Sequence, residues 1–311
     1  MKILITGASG FVGQHLAQYI GQKKRVCIGS YRTHRPPKHL FKKTYHCDFS
    51  SFGEVLRLIK RVRPTHIFHL VGQSSPSLSW KKPFDTFVDN ALSTLHLAEA
   101  CRQAHLKPLI ILSSSAHVYG SICYRRRIPT ESDFPTPMDP YGAAKIYAEE
   151  FLRQYRQQFH IPFIVIRATA HVGVGQPSVF AISNFALQIA KIEKGYQEPV
   201  IRVGNMKTER GFIPVDDMIR AYWLVLRKGK AGQLYNISAQ QVEPMAHWLD
   251  LLLKMSTKKI KVIQEKTRLN LIEIPKLRVS SQKFRRLTGW RETHSLKQVF
   301  QDVLNWHRSH V

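Results

Sequence analysis

A doubly wound α/β fold, a parallel sheet covered by helices with a smaller mixed lobe behind it, is predicted by three features of the 311-residue chain. Short β-branched runs alternate with amphipathic stretches through the first half. A glycine-rich turn joins the first run to the first stretch, and the regular alternation stops after Arg167. Parallel strands need crossover connections long enough for a helix, and this alternation supplies them.

Taken in order, the apolar run at 2–6 is the first strand, and the stretch at 11–20 after the glycines is the first helix. Further strands are expected over 25–30, 45–47, 66–70, 109–112 and 163–166, where β-branched and aromatic residues cluster. Between them, helical spacing covers 51–62, 83–104 and 141–159. Beyond Arg167, Gly- and Pro-containing loops surround a helix expected at 184–194. The division implied is a dinucleotide-binding unit over 1–167 and a substrate lobe over 168–311, part of which returns to the first unit. Neither a Ser- or Gly-rich linker nor an internal repeat separates them, so the two are expected to pack as one body.

Composition narrows the function classes. With 43% hydrophobic residues the chain can build a substantial core. The four cysteines, Cys27, Cys47, Cys101 and Cys123, form no Cys-x-x-Cys pair and read as reduced thiols in a cytosol. The opening apolar stretch is too short for a signal peptide, and no run approaches the roughly 18 residues of a membrane span. Fifteen histidines invite a metal search, yet His66 and His69 are three apart on a strand and project to opposite faces, so no metal site is expected. The formal charge of +26 is scattered over the chain, at Lys23-Lys24-Arg25, Arg125-Arg126-Arg127 and Lys258-Lys259, with no nucleic-acid module around it. It reads as a general basic bias that steers anionic substrates, and no nucleic-acid partner is expected.

The first chemical signal is Gly7-Ala8-Ser9-Gly10-Phe11-Val12-Gly13, between the first strand and the first helix. Such a turn brings bare backbone N–H groups and a positive helix end to a pyrophosphate. At the end of the second strand stands Arg32 with no carboxylate beside it, which favours NADP(H) over NAD(H) through its 2′-phosphate and leaves NAD(H) open. Asp48-Phe49 follows the third strand and resembles the acidic-apolar pair that holds adenine in one family of dinucleotide-binding enzymes, and a helix cap would explain Asp48 equally well.

The second signal is Tyr141-Gly142-Ala143-Ala144-Lys145. Residues four apart share a helix face, so the Lys145 ammonium is expected near the Tyr141 phenol, favouring its ionised form. Ser113-Ser114-Ser115 ends the preceding strand, and the linking loop holds Val118-Tyr119-Gly120 and Pro140.

Together, "SSSAHVYG" and "PTESDFPTPMDPYGAAK" resemble the extended short-chain dehydrogenases, the NAD-dependent epimerases and dehydratases. Their G-x-x-G-x-x-G spacing is also the one found here. The later segments "FALQIAKIE", "EPVIRVGN" and "RGFIPVDD" are most similar to the GDP-4-keto-6-deoxy-mannose reductases. The resemblance implies Ser115, Tyr141 and Lys145 as catalytic residues, with Gly7, Gly10, Phe11, Val12, Gly13, Arg32, Asp48, Phe49, Leu70, Val71 and Gly72 on the cofactor. It implies Ser115, Ala116, Lys191, Arg210, Arg268 and Glu273 on a nucleotide-diphosphate sugar, and a cytoplasmic homodimer packed through the helices bearing Asn90 and Tyr141.

The departures are informative. Sugar 4,6-dehydratases of this family carry an acidic pair after the catalytic Ser/Thr, and here those positions are Ala116 and His117. Elimination is therefore disfavoured and hydride transfer is not. Ala170, Gly211 and Asn270-Leu271 replace residues that relatives use near the nucleotide, and Arg268 stands where it could take over a phosphate contact. The expectation is an NADPH-dependent reduction of GDP-4-keto-6-deoxy-D-mannose to GDP-D-rhamnose or its C4 epimer. A 4-epimerase and a 4,6-dehydratase are the enzymatic rivals, and a non-catalytic RNA- or partner-binding Rossmann protein is the rival of another class.

Overall fold

The computed structural model describes residues 1–124, 128–265 and 273–311. At its centre are β1 (Ile3–Thr6), β2 (Cys27–Tyr31), β3 (Lys43–His46), β4 (His66–His69), β5 (Leu109–Ser115) and β6 (Phe163–Ala168). Strand Leu234–Ile237 joins them, and the parallel sheet runs in the order 234–237, β6, β5, β4, β1, β2, β3.

Successive strand side chains point to opposite faces, and here both faces are apolar, as a doubly covered sheet requires. Ile3 and Ile5 enter a cluster with Leu16 and Ile20 of helix α1 (Phe11–Gln22) and with Met218, Tyr222 and Val225 of helix Val215–Lys228. Leu4, between them, enters the opposite cluster. There it meets Val55 and Ile59 of α2 (Phe52–Val62), Leu97 and Cys101 of a helix described below, and Leu152. Each such fully buried aliphatic side chain contributes about 1.5–3 kcal/mol.

The helix expected over 83–104 is in fact broken. A short helix α3 (Pro76–Lys81) precedes it, then come α4 (Pro83–Phe87), a π-helical turn (Val88–Leu92) and α5 (Ser93–Gln103). Asn90 Nδ2 donates to the carbonyl of Thr86, 2.9 Å away and one turn back, and to that of Gln73 at 3.0 Å. A side chain competing for the i−4 carbonyl favours opening the ladder by one residue at that point.

Helix α6 (Pro140–Phe159) is capped by Asp139, whose Oδ1 accepts the Gly142 N–H at 2.7 Å, with Pro140 at the first helical position. The later residues form helices Ala181–Glu193, Met245–Leu253 and Leu296–His310 around a third apolar cluster. Small sheets join Val200–Val203 to Lys261–Gln264, and Glu209–Arg210 to Glu243–Pro244 and Lys276–Leu277.

Candidate active site

The strand order reverses at β1, which pairs with β2 on one side and β4 on the other. In open parallel sheets a crevice for ligands lies beyond the carboxyl ends of strands at such a point. Thr6 closes the floor of this crevice: its Oγ1 accepts the Leu70 N–H at 3.1 Å and meets His69 Nδ1 at 2.9 Å. His69 is fully buried, which drives its pKa down to about 3 and keeps it neutral.

The glycine turn is built for close backbone approach. Gly7 sits at φ +67, and a Cβ on Gly13 would stand 2.4 Å from the Gly7 carbonyl oxygen. The Gly10 N–H donates to that same oxygen at 3.0 Å, and the Ala8 N–H donates to Ser30 O at 2.9 Å. Helix α1 starts at Gly10 with no side-chain cap and no acid in its first turn. Its first-turn N–H groups therefore present positive charge to the crevice, a chemistry that fits a dinucleotide pyrophosphate. Phe11 and Val12 are half-buried at this helix start.

Across the crevice, Leu70 and Val71 are half-buried and Gly72 is exposed at φ +147. A Cβ on Gly72 would collide with Asn90 Oδ1 at 2.3 Å and lie 3.5 Å from Lys145 Nζ. Asn90 Oδ1 is buried with no hydrogen-bond partner among the described residues. Arg32 is exposed at the end of β2, and its Nη1 forms an ion pair with Asp89 Oδ1 at 2.9 Å. Asp48 accepts the Ser50 N–H at 2.9 Å, and the cap residue of α2 is Ser51, so the helix-cap role considered for Asp48 does not hold. Burial works against ionisation of Asp48, but the Ser50 contacts and Arg32 outweigh it and keep its carboxyl low. Phe49 is buried in the core, its ring 5.6 Å from that of His69.

At the carboxyl end of β5 the three serines take separate partners. Ser113 Oγ accepts the Tyr222 hydroxyl at 2.7 Å, while the Ser113 carbonyl accepts Lys145 Nζ at 2.9 Å. Ser114 donates to Glu149, and Ser115 Oγ accepts the His117 N–H at 3.2 Å and lies near enough to Tyr141 to favour its ionised form. Tyr141 and Lys145 share one face of α6, with Nζ 5.7 Å from the phenol ring centre. All three predicted catalytic side chains are thus together, and each is less than one-tenth exposed.

The electrostatics differ from the expectation. Burial dominates at Tyr141 and pushes its phenol up from the ordinary value, with the Ser115 contact pulling weakly the other way. Lys145, at 5.7 Å from the ring centre, does not reverse this. Burial also lowers Lys145 to about 8, opposed by the attraction of Glu149. The centre therefore holds a protonated phenol beside an ammonium poised to lose its proton near pH 8. A protonated phenol is the form that can donate to a developing alkoxide.

Sequence reasoning missed the support beneath this centre. Glu149, one further turn along α6 from Lys145, binds Arg167 of β6 through Nη2 at 2.6 Å and Nε at 3.0 and 3.2 Å. The spacing Tyr141, Lys145, Glu149 was the available signal, three residues each four apart on one face. Asp139 was also missed: its Oδ2 meets His117 Nδ1 at 2.8 Å, and the His117 ring packs edge-on to Tyr141 at 5.9 Å. Ala116 is fully buried in an apolar cluster with Val118, Tyr119 and Ile274. Neither position carries a carboxylate.

In the small sheet of the second lobe, Arg210 is half-buried, and burial lowers its pKa while Glu273 opposes the shift. Glu273 Oε2 accepts Asn205 Nδ2 at 2.8 Å and its carbonyl accepts the Tyr124 hydroxyl at 2.7 Å. Lys191 lies half-buried in the last turn of helix Ala181–Glu193. Arg268 falls outside the described residues, as do Asn270 and Leu271. Among the described residues no cluster of His, Cys, Asp or Glu could hold a metal ion.

Comparison with known proteins gives the family and the fold. A profile of the NAD dependent epimerase/dehydratase family matches residues 3–238. The chain is 28% identical to the GDP-6-deoxy-D-mannose reductase of Pseudomonas aeruginosa, covering 100% of this chain and 98% of that one. It is 28% identical to the CDP-paratose 2-epimerase of Salmonella typhi over 79% of this chain and 81% of the relative. Among solved structures, RMD from Pseudomonas aeruginosa complexed with NADPH superposes with a TM-score of 0.86 at 27% identity, covering 100% and 99% of the two chains. The UDP-glucose 4-epimerase of Thermus thermophilus, at 21% identity and a TM-score of 0.87, shares the fold over the full length of both.

Proposed function

Because this chain belongs to the NAD dependent epimerase/dehydratase family, we propose that it reduces the 4-keto group of a nucleotide-diphosphate 4-keto-6-deoxy sugar with NADPH. The substrate in this reading is GDP-4-keto-6-deoxy-D-mannose and the product GDP-D-rhamnose or its C4 epimer. One observation carries it: Ser115, Tyr141 and Lys145 lie buried together, with Ala116 and His117 where elimination would need two carboxylates. The full-length similarity to a GDP-6-deoxy-D-mannose reductase supports the choice of sugar.

The nicotinamide, when bound, supplies hydride to C4. Ser115 holds the carbonyl oxygen by a hydrogen bond, and Tyr141 gives its proton to that oxygen as negative charge develops. Lys145 binds the nicotinamide ribose hydroxyls and stabilises the phenolate left behind. Gly7, Gly10 and Gly13 admit the pyrophosphate, Phe11 and Val12 start the helix whose N–H groups face it, and Leu70, Val71 and Gly72 form the opposite wall. Asp48 and Phe49 serve the adenosine end, and Arg32 its 2′-phosphate. Lys191, Arg210 and Glu273 line the sugar-nucleotide side, with Arg268 assigned there from sequence.

In the same reading residues 1–167 bind cofactor and 168–311 mainly bind substrate, with strand Leu234–Ile237 returning to the sheet. The protein works in the cytoplasm, which four free, buried cysteines support. It forms a homodimer through α3, α4 and α6, where Trp80, Phe84 and Tyr147 are exposed and Phe87 packs on Tyr147 at 5.6 Å. The test is turnover: purified protein with NADPH and GDP-4-keto-6-deoxy-D-mannose is expected to oxidise one cofactor per sugar reduced. GDP-mannose with NADP⁺ is expected to give no 4-keto product, and efficient dehydration of GDP-mannose would overturn the assignment.

A further inference from the structure

The Arg32 guanidinium does not stand alone at the adenosine end of the crevice. Its Nη1 holds Asp89 Oδ1 at 2.9 Å, and that contact, with Asp48 and Asp85 farther off, strengthens its positive form. Asp89 is only 21% exposed, while Arg32 is 54% exposed. The pair joins two parts of the chain far apart in sequence, the end of β2 and the π-helical turn that also carries Asn90. Asp89 is held on that turn, where Ser93 Oγ donates to its carbonyl at 2.7 Å.

This contact puts a carboxylate within hydrogen-bond distance of the one cation assigned to the 2′-phosphate. A NAD-type site hydrogen-bonds the 2′-hydroxyl with a carboxylate from the end of the second strand. Here that strand ends in Ser30-Tyr31-Arg32, and the carboxylate comes instead from Asp89. A 2′-phosphate drawn to Arg32 has to share the guanidinium with Asp89 and lie beside its negative charge. A 2′-hydroxyl brings no such charge and can donate to Asp89.

We propose that Asp89 is a specificity-determining residue that competes with the 2′-phosphate for Arg32, restraining NADPH affinity and letting the same pocket accept NADH. The inference rests on the reading of Arg32 as the 2′-phosphate contact. Asp89→Asn keeps the size of the side chain and removes the negative charge that a phosphate would have to lie beside, and Asp89→Ser removes the contact as well.

Titration calorimetry of NADPH and NADH with the wild type, Asp89→Asn, Asp89→Ser and Arg32→Ala tests both statements. Both Asp89 variants are expected to bind NADPH about two- to fivefold tighter, the scale of one partly exposed charge contact, and NADH no tighter than the wild type. The gain is expected to shrink in high salt, as a screened interaction must. If Arg32→Ala weakens NADPH alone while neither Asp89 variant changes the NADPH-to-NADH ratio by more than about twofold, the role of Asp89 is wrong and that of Arg32 stands. If Arg32→Ala weakens both cofactors equally, the 2′-phosphate reading fails and this inference falls with it.

Discussion

Replacing Glu149 by Gln removes the charge that balances Arg167 without changing the volume of the side chain. Both partners are buried, at 10% and 5% side-chain exposure, and Arg167 Nη1 already lacks a hydrogen-bond partner among the described residues. Gln cannot accept through both terminal atoms, so the bidentate grip at 2.6 and 3.0 Å is lost and a buried guanidinium stays uncompensated. Breaking one side of a buried pair costs about 3–5 kcal/mol. With an unfolding entropy of about 2.1 cal/mol/K per residue over 311 residues, that corresponds to a fall in Tm of about 5–8 °C. The loss also takes away the attraction that holds up the Lys145 ammonium, so the pH at which NADPH binding weakens should move below about 8. Differential scanning fluorimetry and fluorescence titration of NADPH against pH read both effects. The double variant Glu149→Gln/Arg167→Met removes both charges and is expected to recover at least half of the lost Tm. A fall of less than about 2 °C in the single variant, with an unmoved pH midpoint, would refute the reasoning.

Tyr141→Phe should retain NADPH binding and lose about 10²–10⁴ in kcat, since only the transferable proton is removed; near-normal kcat in a single-turnover assay would exclude it as the donor. Burial holds Lys145 at about 8, so its ammonium is lost as pH rises through that value while a bound ribose favours the charged form. NADPH affinity is therefore expected to weaken above about pH 8, and calorimetry on Lys145→Met should show weaker binding with no such inflection. Gly13→Ala would place a methyl 2.4 Å from a backbone oxygen, and overpacking of this kind costs about 1–3 kcal/mol. Both Tm and NADPH affinity should drop, and unchanged affinity would show that the turn does not approach the cofactor. Phe84→Glu/Tyr147→Glu should elute as a monomer in size-exclusion chromatography with light scattering if α4 and α6 form the dimer face, and an unchanged mass would place that interface elsewhere.

Much of this architecture was legible because its causes are local. The alternation of apolar runs located β1 through β6, and the positions of Gly7, Gly10 and Gly13 between a strand and a helix marked the crevice. The break at Asn90 was not legible, since it depends on a side chain reaching Gln73, seventeen positions away, as well as its own previous turn. Helix α3 did carry a signal, Ser75 as cap followed by Pro76, and it was hidden by the brevity of the segment. The pairings Arg32 with Asp89 and His117 with Asp139 join residues that only the folded chain brings together. Spacing also placed Lys145 beside Tyr141 correctly while giving the wrong direction for the phenol, because periodicity reports neighbours and not the depth of burial that sets the charge state.

The central claim is net hydride transfer to C4 with proton donation by Tyr141, and an isotope experiment addresses it directly. Protein supplied with NADPH deuterated at the transferable position and GDP-4-keto-6-deoxy-D-mannose should yield a sugar carrying deuterium at C4, with one NADP⁺ released per label. A 4-epimerase or a dehydratase would return its hydride to the sugar it came from, C4 or C6 respectively, and consume no added cofactor. Mass spectrometry and proton NMR of the recovered GDP-sugar distinguish these results. Stoichiometric label at C4 is the expected outcome, and turnover of sugar without net loss of NADPH would contradict the account.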